Sequence, residues 1–515
     1  MPKGQRFSRR WDRDFDDWRG RHVVICNWRD STHPNAGGAE LYCERVAERV
    51  HELGADVTLL TARHPGSARV SRTGFGTIRR MGNSFSVYPL ALMWLLLHRR
   101  TVDAVIDSQN GIPFFSPLAL RRDTPAVLLI HHVHQEQFAL YFPSWLTFVG
   151  RLLENQVSAV VYGTRSVCVV SPSSRTEVRQ KLSFRGPIFV TPCGQDIGLS
   201  ESRGSRSAEP SVVYVGRVVR QKRLELLIAG FRSVVAENHH AELHIVGDGD
   251  ERERLEQLAA EAGLQDQITF HGRVPDARRD ELLGSAWLFV TPSRAEGWGM
   301  SVMEAATFGV PALSFRVAGL QDAIEEGATG WLVDEGAEIG PAISAALGDL
   351  AEPAFAEQIA SRCQARSKRF TWSTTADRLL GVLSSERERL LHLVLDRREM
   401  ADLATVVTYG RSQFSLELFR RLRCQDQVRF DSNTVELLLV GTDEDGATGA
   451  LNRIGFPVGQ ANTMRVARSV DFIGWDLDVA SAKLGALANP EAEREDDPLF
   501  QTARRARGAL QGFRQ

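Results

Sequence analysis

Short apolar runs recur along the first two thirds of the chain, each followed by a longer stretch in which apolar positions return every three or four residues. The runs at residues 22–28 (HVVICNW), 56–62 (DVTLLTA), 103–108 (DAVIDS), 126–132 (AVLLIHH) and 166–171 (SVCVVS) are continuous rather than alternating. A strand that is apolar on both sides is covered on both faces, which predicts a parallel sheet with helices above and below it. The stretch 200–211 is rich in Ser, Arg and Gly, has no period, and reads as a linker. Beyond it the same rhythm restarts at 211–217, 241–249, 267–272, 286–293, 311–315 and 330–334. Two doubly wound units in tandem bind ligands at the carboxyl ends of their strands, so the pattern predicts two Rossmann-like domains facing a cleft.

From about residue 386 the pattern changes to a charged helical segment, shorter elements such as TVELLLVG at 434–441, and a terminal stretch with helical spacing. This predicts a third, smaller α/β domain, with boundaries at 1–199, 200–385 and 386–515. The longest apolar run, 85–98, is too short to span a bilayer and contains Pro89. Length favours a buried helix. The arginines around it, Arg79, Arg80, Arg99 and Arg100, leave a helix lying on an anionic membrane surface as the alternative.

Composition narrows the function classes. Of 515 residues, 43% are hydrophobic and 24% charged, the proportions of a soluble globular protein. With 62 basic against 64 acidic side chains there is no overall field for nucleic acid or membrane, so an anionic ligand must be held by local residues. Cysteines 26, 43, 168, 193, 363 and 424 form no CxxC pair and have no histidine at a ligand interval, which points to free thiols in a reducing compartment. The charged N-terminus lacks the apolar core of a secretory signal. The expected location is the cytoplasm, with peripheral contact at the inner face of the membrane if the 85–98 helix lies on it.

Several strand ends carry candidate chemistry. Gly37 and Gly38 precede a strongly periodic helix, and such a turn exposes backbone N–H groups suited to phosphate. After the first strand of the second domain, Gly216, Arg217 and Lys222 offer a guanidinium fork and an ammonium to a diphosphate. His131, His132 and His134 end another strand, with His131 the one expected in the cleft. Asp248 and Asp250 have the DxD spacing of a metal motif, but their glycine-flanked turn reads as turn geometry and a helix cap. No metal is expected. Glu296 and Glu304 flank a glycine-rich turn, and Ser301 with Glu304 reads as a capping box at a helix start.

Taken in order, GGAE (37–40), GR (216–217) with Lys222, IVGDG (245–249), TPSRAEGWGMSVMEAATFGVPAL (291–313) and GATGWLV (327–333) resemble the retaining glycosyltransferases of family 4, over about residues 20–385. The segments 28–40, QNGIPFF and HHVHQEQF are similar to a bacterial subset of that family. The resemblance implies a GT-B fold whose last helix crosses back to the first domain. It also implies metal-independent transfer of a sugar from a UDP-, GDP- or ADP-linked donor to a glycan, lipid or small-molecule acceptor, with the anomeric configuration kept. By the same likeness Glu304 binds ribose, Glu296 faces the sugar, and Gly299, Met300, Ser301 and Val302 approach the phosphates. Arg217 and Lys222 hold the diphosphate, Gly38 closes over it, and His131 lies beside the reacting sugar.

The chain departs from the family at PCGQD (192–196) and at His132, where relatives carry an aspartate. The third domain resembles a degenerate GGDEF domain, with the signature falling on Asp431–Val435 but lacking its glycines and acidic pair. That implies nucleotide sensing, oligomerisation or structural support rather than cyclase activity. The alternative to an enzyme is a non-catalytic sugar-nucleotide-binding regulator or scaffold.

Overall fold

The computed structural model describes residues 18–135, 138–163, 165–184, 186–196, 206–391, 403–410, 427–430, 434–440, 442–456, 459, 461 and 463–468. The chain divides into two compact units, Met1–Leu390 and Leu391–Gln515.

The first unit holds two sheets. In the N-terminal half the elements are β1 (His22–Cys26), α1 (Gly38–Glu52), β2 (Asp56–Ala62), β3 (Val70–Thr73), β4 (Gly76–Met81), α2 (Val87–His98), β5 (Ala104–Gln109), β6 (Ala126–Ile130), α3 (Phe138–Tyr141), α4 (Ser144–Leu152), α5 (Ser158–Tyr162), β7 (Val167–Val169), α6 (Pro172–Lys181) and β8 (Ile188–Val190). The strands pair in the order β3-β4-β2-β1-β5-β6-β7-β8, parallel except for the β3–β4 hairpin at the edge. Every residue of β5 and β6 is buried, as strands covered on both faces must be, including the polar Asp107, Ser108 and Gln109 at the carboxyl end of β5.

The second half contains β9 (Ser211–Val215), α7 (Leu224–Glu237), β10 (Glu242–Val246), α8 (Arg252–Glu261), β11 (Ile268–Gly272), α9 (Asp276–Ser285), β12 (Leu288–Thr291), α10 (Met300–Thr307), β13 (Ala312–Phe315), α11 (Leu320–Ala323), β14 (Gly330–Val333), α12 (Ile339–Ala351), α13 (Pro353–Ser367) and α14 (Trp372–Leu391). Its sheet runs β11-β10-β9-β12-β13-β14, all parallel. Strand order reverses between β9 and β12 here, and between β1 and β5 in the first sheet. A crevice opens at such a point beyond the carboxyl ends.

Helix α14 returns to the N-terminal half. Thr375 Oγ1 donates to Pro192 O (2.6 Å), Arg378 to Val190 O (3.3 Å), and Glu386 accepts from the Ser166 N–H and hydroxyl. In the connection between the halves, Gly194 sits so close to this helix that a Cβ would lie 2.2 Å from Trp372 N, a site where no side chain fits.

Two sequence expectations fail here. Arg80 is buried and holds Asp30 through Nε (2.7 Å) and Nη2 (3.2 Å), so it belongs to a buried ion pair rather than to a membrane-facing rim. The 85–98 helix is buried only along Val87, Ala91 and Leu95, while Phe85, Leu90, Met93 and Leu97 are exposed.

In the second unit β15 (Leu403–Gly410), β16 (Gln427–Phe430), β17 (Thr434–Val440) and β18 (Thr463–Arg468) form an antiparallel sheet in the order β16-β17-β15-β18. Helix α15 (Glu444–Ile454) packs Ala447 and Leu451 against Val407, Val435 and Leu437. The Asp443 carboxylate caps it by accepting from Gly446 N at 2.7 Å. Asp431, Ser432 and Asn433 lie outside the described residues, as do Cys424, the first half of the 200–211 linker, the 479–490 segment and the terminal helix expected from sequence.

Candidate functional site

The site is built on the strand ends at the two reversals of order. In the second half β9 ends at Val215, and Gly216 (φ 156°) turns the chain toward Arg217. The Tyr214 hydroxyl donates to Arg217 O at 2.9 Å, and a Cβ on Gly216 would strike that hydroxyl. The adjoining IVGDG turn presses against the same loop, because a Cβ on Gly247 would meet Gly216 O and one on Gly249 would meet Val218 O. Its glycines are there for backbone contact. Asp248 spends its carboxylate on Gly249 N (2.9 Å), as a turn residue does. The Arg217 side chain is exposed and makes no hydrogen bond or ion pair among the described residues.

Lys222 ends a short helical turn, Arg220–Lys222, and its ammonium pairs with the Glu296 carboxylate. Three further contacts fasten this turn to the loop after β12: Gln221 Nε2 to Ala295 O (3.3 Å), and Arg223 to Pro292 O (2.9 Å) and Ser293 O (3.1 Å). Arg223 adopts φ 50°, a conformation costly for a non-glycine residue and held here by those contacts. Burial pushes the Glu296 carboxyl up, but Lys222 and the Ser293 hydroxyl overcome it and hold the group below the ordinary value, hence ionised.

The loop then reaches α10. Its N-cap is Gly299 (φ 102°), not Ser301, so the expected capping box is absent and Glu304 lies in the helix's second turn. The reason is steric. Gly299 packs against Leu320 and Ala323 in a left-handed conformation that starts the helix two residues earlier. The first N–H groups of α10 receive no side-chain cap and belong to the positive end of the helix. Glu304 makes no hydrogen bond or ion pair among the described residues. Burial raises its carboxyl pKa despite Arg279, with Asp280, Asp276 and Asp196 adding to the rise.

The N-terminal half supplies the opposite wall. Gly37 caps α1, but its N–H is committed to Glu40 Oε2 (2.7 Å), while Glu40 Oε1 accepts from Arg29 Nε (3.0 Å). The glycine at the cleft is Gly38. A Cβ there would stand 2.6 Å from Met300 Sδ, across the boundary between the two halves. A second close approach lies alongside, where a Cβ on Gly297 would be 2.3 Å from His131 O.

The His131 ring is buried, with Nε2 3.0 Å from Ser108 Oγ and its edge toward Tyr42. Burial lowers its pKa to about 3, with His132 adding to the effect, so the imidazole is neutral at ordinary pH. His132 and His134 stack at 3.8 Å between centroids, and His134 Nδ1 lies 3.1 Å from His132 O. Among the described residues no group of three or more His, Cys, Asp or Glu side chains is placed to hold a metal ion.

The structure therefore brings together Gly38 with Met300, His131 with Gly297, and Lys222 with Glu296, and leaves Arg217 and Glu304 without side-chain partners in the same region. Sequence reasoning assigned no role to Tyr214, Gln221, Arg223 or Glu40. Only Glu40 carried a signal, the carboxylate three residues beyond a glycine cap.

Two Rossmann-like domains that close on an anion-suited helix start and a basic strand end define a GT-B-type transferase architecture. Residues 36–199 match the family described as Glycosyltransferase Family 4, and residues 199–354 match Glycosyl transferases group 1. A D-inositol 3-phosphate glycosyltransferase of Acidothermus cellulolyticus is 35% identical over 389 residues, 68% of this chain and 85% of the relative. Among solved structures, a sucrose-phosphate synthase from Thermosynechococcus elongatus superposes with TM-score 0.59 at 21% identity, covering 73% of this chain and all of that one. HepE of Anabaena in complex with UDP and glucose gives 0.53 at 19%, covering 71% of this chain and 100% of that one. The chain belongs to the family 4 glycosyltransferases with the GT-B fold, and is a glycosyltransferase.

Proposed function

We propose that the protein is a retaining, metal-independent glycosyltransferase that takes a nucleotide diphosphate sugar in the cleft of the first unit. The observation that carries this reading is the Lys222–Glu296 pair set beside Arg217 and the uncapped start of α10. An ionised carboxylate beside cationic groups and free N–H donors suits a ligand that carries sugar hydroxyls at one end and a diphosphate at the other.

In the reaction the bond between the anomeric carbon and the diphosphate oxygen breaks, and a bond to an acceptor hydroxyl forms on the same face. The negative charge that develops on the departing diphosphate falls to Arg217, Lys222 and the amides of Gly299, Met300, Ser301 and Val302. One preorganised donor of this kind is worth about 3 kcal/mol of transition-state stabilisation. Glu304 accepts from the ribose hydroxyls, Glu296 from the sugar, and the neutral His131 lines the sugar side from below Gly297. UDP is favoured as the carrier by the likeness to HepE solved with UDP and glucose, and a phosphorylated polyol is one acceptor class suggested by the Acidothermus relative.

The domain assignment is 1–199 for the acceptor side, 200–385 for the donor side, and 386–515 for a degenerate GGDEF-like module. The antiparallel sheet, with β16 paired to β17, and α15 support that last part. Nucleotide sensing or oligomerisation through this module is tested by calorimetry with cyclic di-GMP and by sedimentation.

Calorimetry with UDP, GDP and ADP, followed by a donor screen with chelator present and product analysis by NMR, tests the main reading. Binding of none of the three nucleotides overturns it. A regulator or scaffold would bind a sugar nucleotide without turnover, and turnover unchanged in a Glu296→Ala, Arg217→Ala double variant would refute the site assignment.

A further inference from the structure

A surface helix normally turns its apolar stripe inward. The segment 144–162 does the reverse. It runs through α4, one π-helical turn (Leu153–Val157) and α5; its buried positions are the polar Thr147, Glu154 and Ser158, with Tyr162 entering the core only at its end. Its outward positions are Trp145, Phe148, Val149, Leu152 and Val160, a spacing that forms a single stripe. Trp145, Phe148 and Val160 are 67%, 68% and 80% exposed.

Helix α2 adds a second apolar face, with Leu90, Met93 and Leu97 exposed and Phe85 in the turn before it. Between the two lies the turn Ser116–Leu118, which touches both α2 and α5 and exposes Leu118. The turn thus links the two apolar faces on the N-terminal half of the first unit. Patches of this kind mark an interaction surface.

Charge identifies what covers it. Within 82–122 and 138–163 the acidic residues are Asp103, Asp107 and Glu154, all buried. Arg99, Arg100, Arg122 and Arg151 are exposed around the same surface. Apolar side chains rimmed by cations, with Asp123 beside Arg122 already paired to Arg121, match the acyl boundary and headgroups of an anionic bilayer, whereas a second copy of this face would set arginines against arginines. No helix among the described residues is long and apolar enough to cross a membrane, so the contact is interfacial.

The polar inward side of the same segment holds the loop that carries His131. Glu154 accepts from His134 N and from Gln135 Nε2, each at 2.6 Å, and Arg151 Nε donates to Gln135 O at 2.6 Å. Contact on the outside of the helix is thus tied to a loop that lines the cleft. We propose that the outward face of α2, the Ser116–Leu118 turn and the 144–162 helix is a docking surface for an anionic lipid bilayer.

The test uses the full chain in flotation with phosphatidylcholine vesicles, with and without about a quarter phosphatidylglycerol. The protein floats with the anionic vesicles and less with the neutral ones. The triple variant Trp145→Ser, Phe148→Ser, Leu152→Ser and, separately, Met93→Ser, Leu97→Ser lose about tenfold or more in vesicle affinity, with melting temperature unchanged. Arg99→Glu, Arg100→Glu removes the preference for anionic lipid. The proposal is overturned if the native chain stays with the pellet, if the triple variant floats as the native chain does, or if sedimentation shows a dimer that the triple variant breaks. Nucleotide binding, measured on the same samples by calorimetry, reports on the donor site alone, so failure of one reading is separable from failure of the other.

Discussion

Gly38 of the N-terminal half lies against Met300 of the second half so closely that a Cβ on the glycine would stand 2.6 Å from the thioether sulfur. A hydrogen at this position sets how near α1 and the start of α10 approach. Gly38→Ala should therefore hold the halves apart or displace Met300. Because a misplacement of about 1 Å can cost a hundredfold in rate, donor turnover is expected to fall tenfold to about a hundredfold, with little change in melting temperature. Met300→Ala in the same chain removes the obstructing sulfur and should restore most of the loss. Full activity in Gly38→Ala alone would show that the contact does not govern closure.

Glu296 is ionised because of Lys222, not because of exposure. Burial alone drives a carboxyl toward the neutral form, and the ammonium reverses the direction. Lys222→Met removes that counterweight, so the Glu296 carboxyl rises. The acid limb of the pH profile for donor turnover should then move to higher pH, alongside a rate loss of about tenfold or more from the missing cation. A rate loss with no movement of the acid limb would count against Glu296 as the titrating group.

Glu304 stands unpaired at the half-buried second turn of α10. If it grips the ribose, Glu304→Ala should weaken nucleotide binding by about 1.5 to 3 kcal/mol, roughly tenfold to 150-fold by calorimetry. Loss of the preference for ribonucleotide over the matching 2′,3′-dideoxynucleotide would go with it. Its carboxyl is raised by burial, so affinity for the ribonucleotide should strengthen as pH rises through that titration in the native chain and not in the variant. Equal discrimination in both proteins would move the ribose contact elsewhere.

The parts of this molecule legible in the sequence are those in which local pattern and burial agree. The run at 56–62 coincides with β2 residue for residue, since every position from Val57 to Ala62 is buried and Arg63, the next residue, is exposed. The β3–β4 hairpin was not anticipated, because the edge strand VSRT and its neighbour GTIRRM mix charge with apolar residues and have no continuous run. Glu296 and Glu304 stand out from their spacing around a glycine turn, but the capping box read from Ser301 fails because the left-handed Gly299 moves the helix start. The clamp made by Arg223 and the contact of Gly38 with Met300 have no local signature. Each depends on segments some 70 to 260 residues apart being brought together by two separate sheets.

Glu154 carries a pH dependence of stability that can be isolated. It is fully buried in the π-helical turn, and burial raises its pKa from 4.5 to about 7, against the hydrogen bonds from His134 N and Gln135. Between about pH 4.5 and 7 the folded chain therefore binds a proton at this site that the unfolded chain does not, so this group's contribution falls as pH rises. Above pH 7 the full penalty, about 3 kcal/mol, is present. Burial of His131 acts in the opposite sense, since its depressed pKa makes stability fall as pH drops from 6.5 toward about 3. Both proteins of a native and Glu154→Gln pair share that second effect, so it cancels from their difference. The variant should melt below the native chain or level with it at pH 5, where the glutamic acid is neutral, and gain relative to it as pH is raised to 8. A difference in melting temperature that stays constant from pH 5 to 8 would show that Glu154 does not titrate in this window.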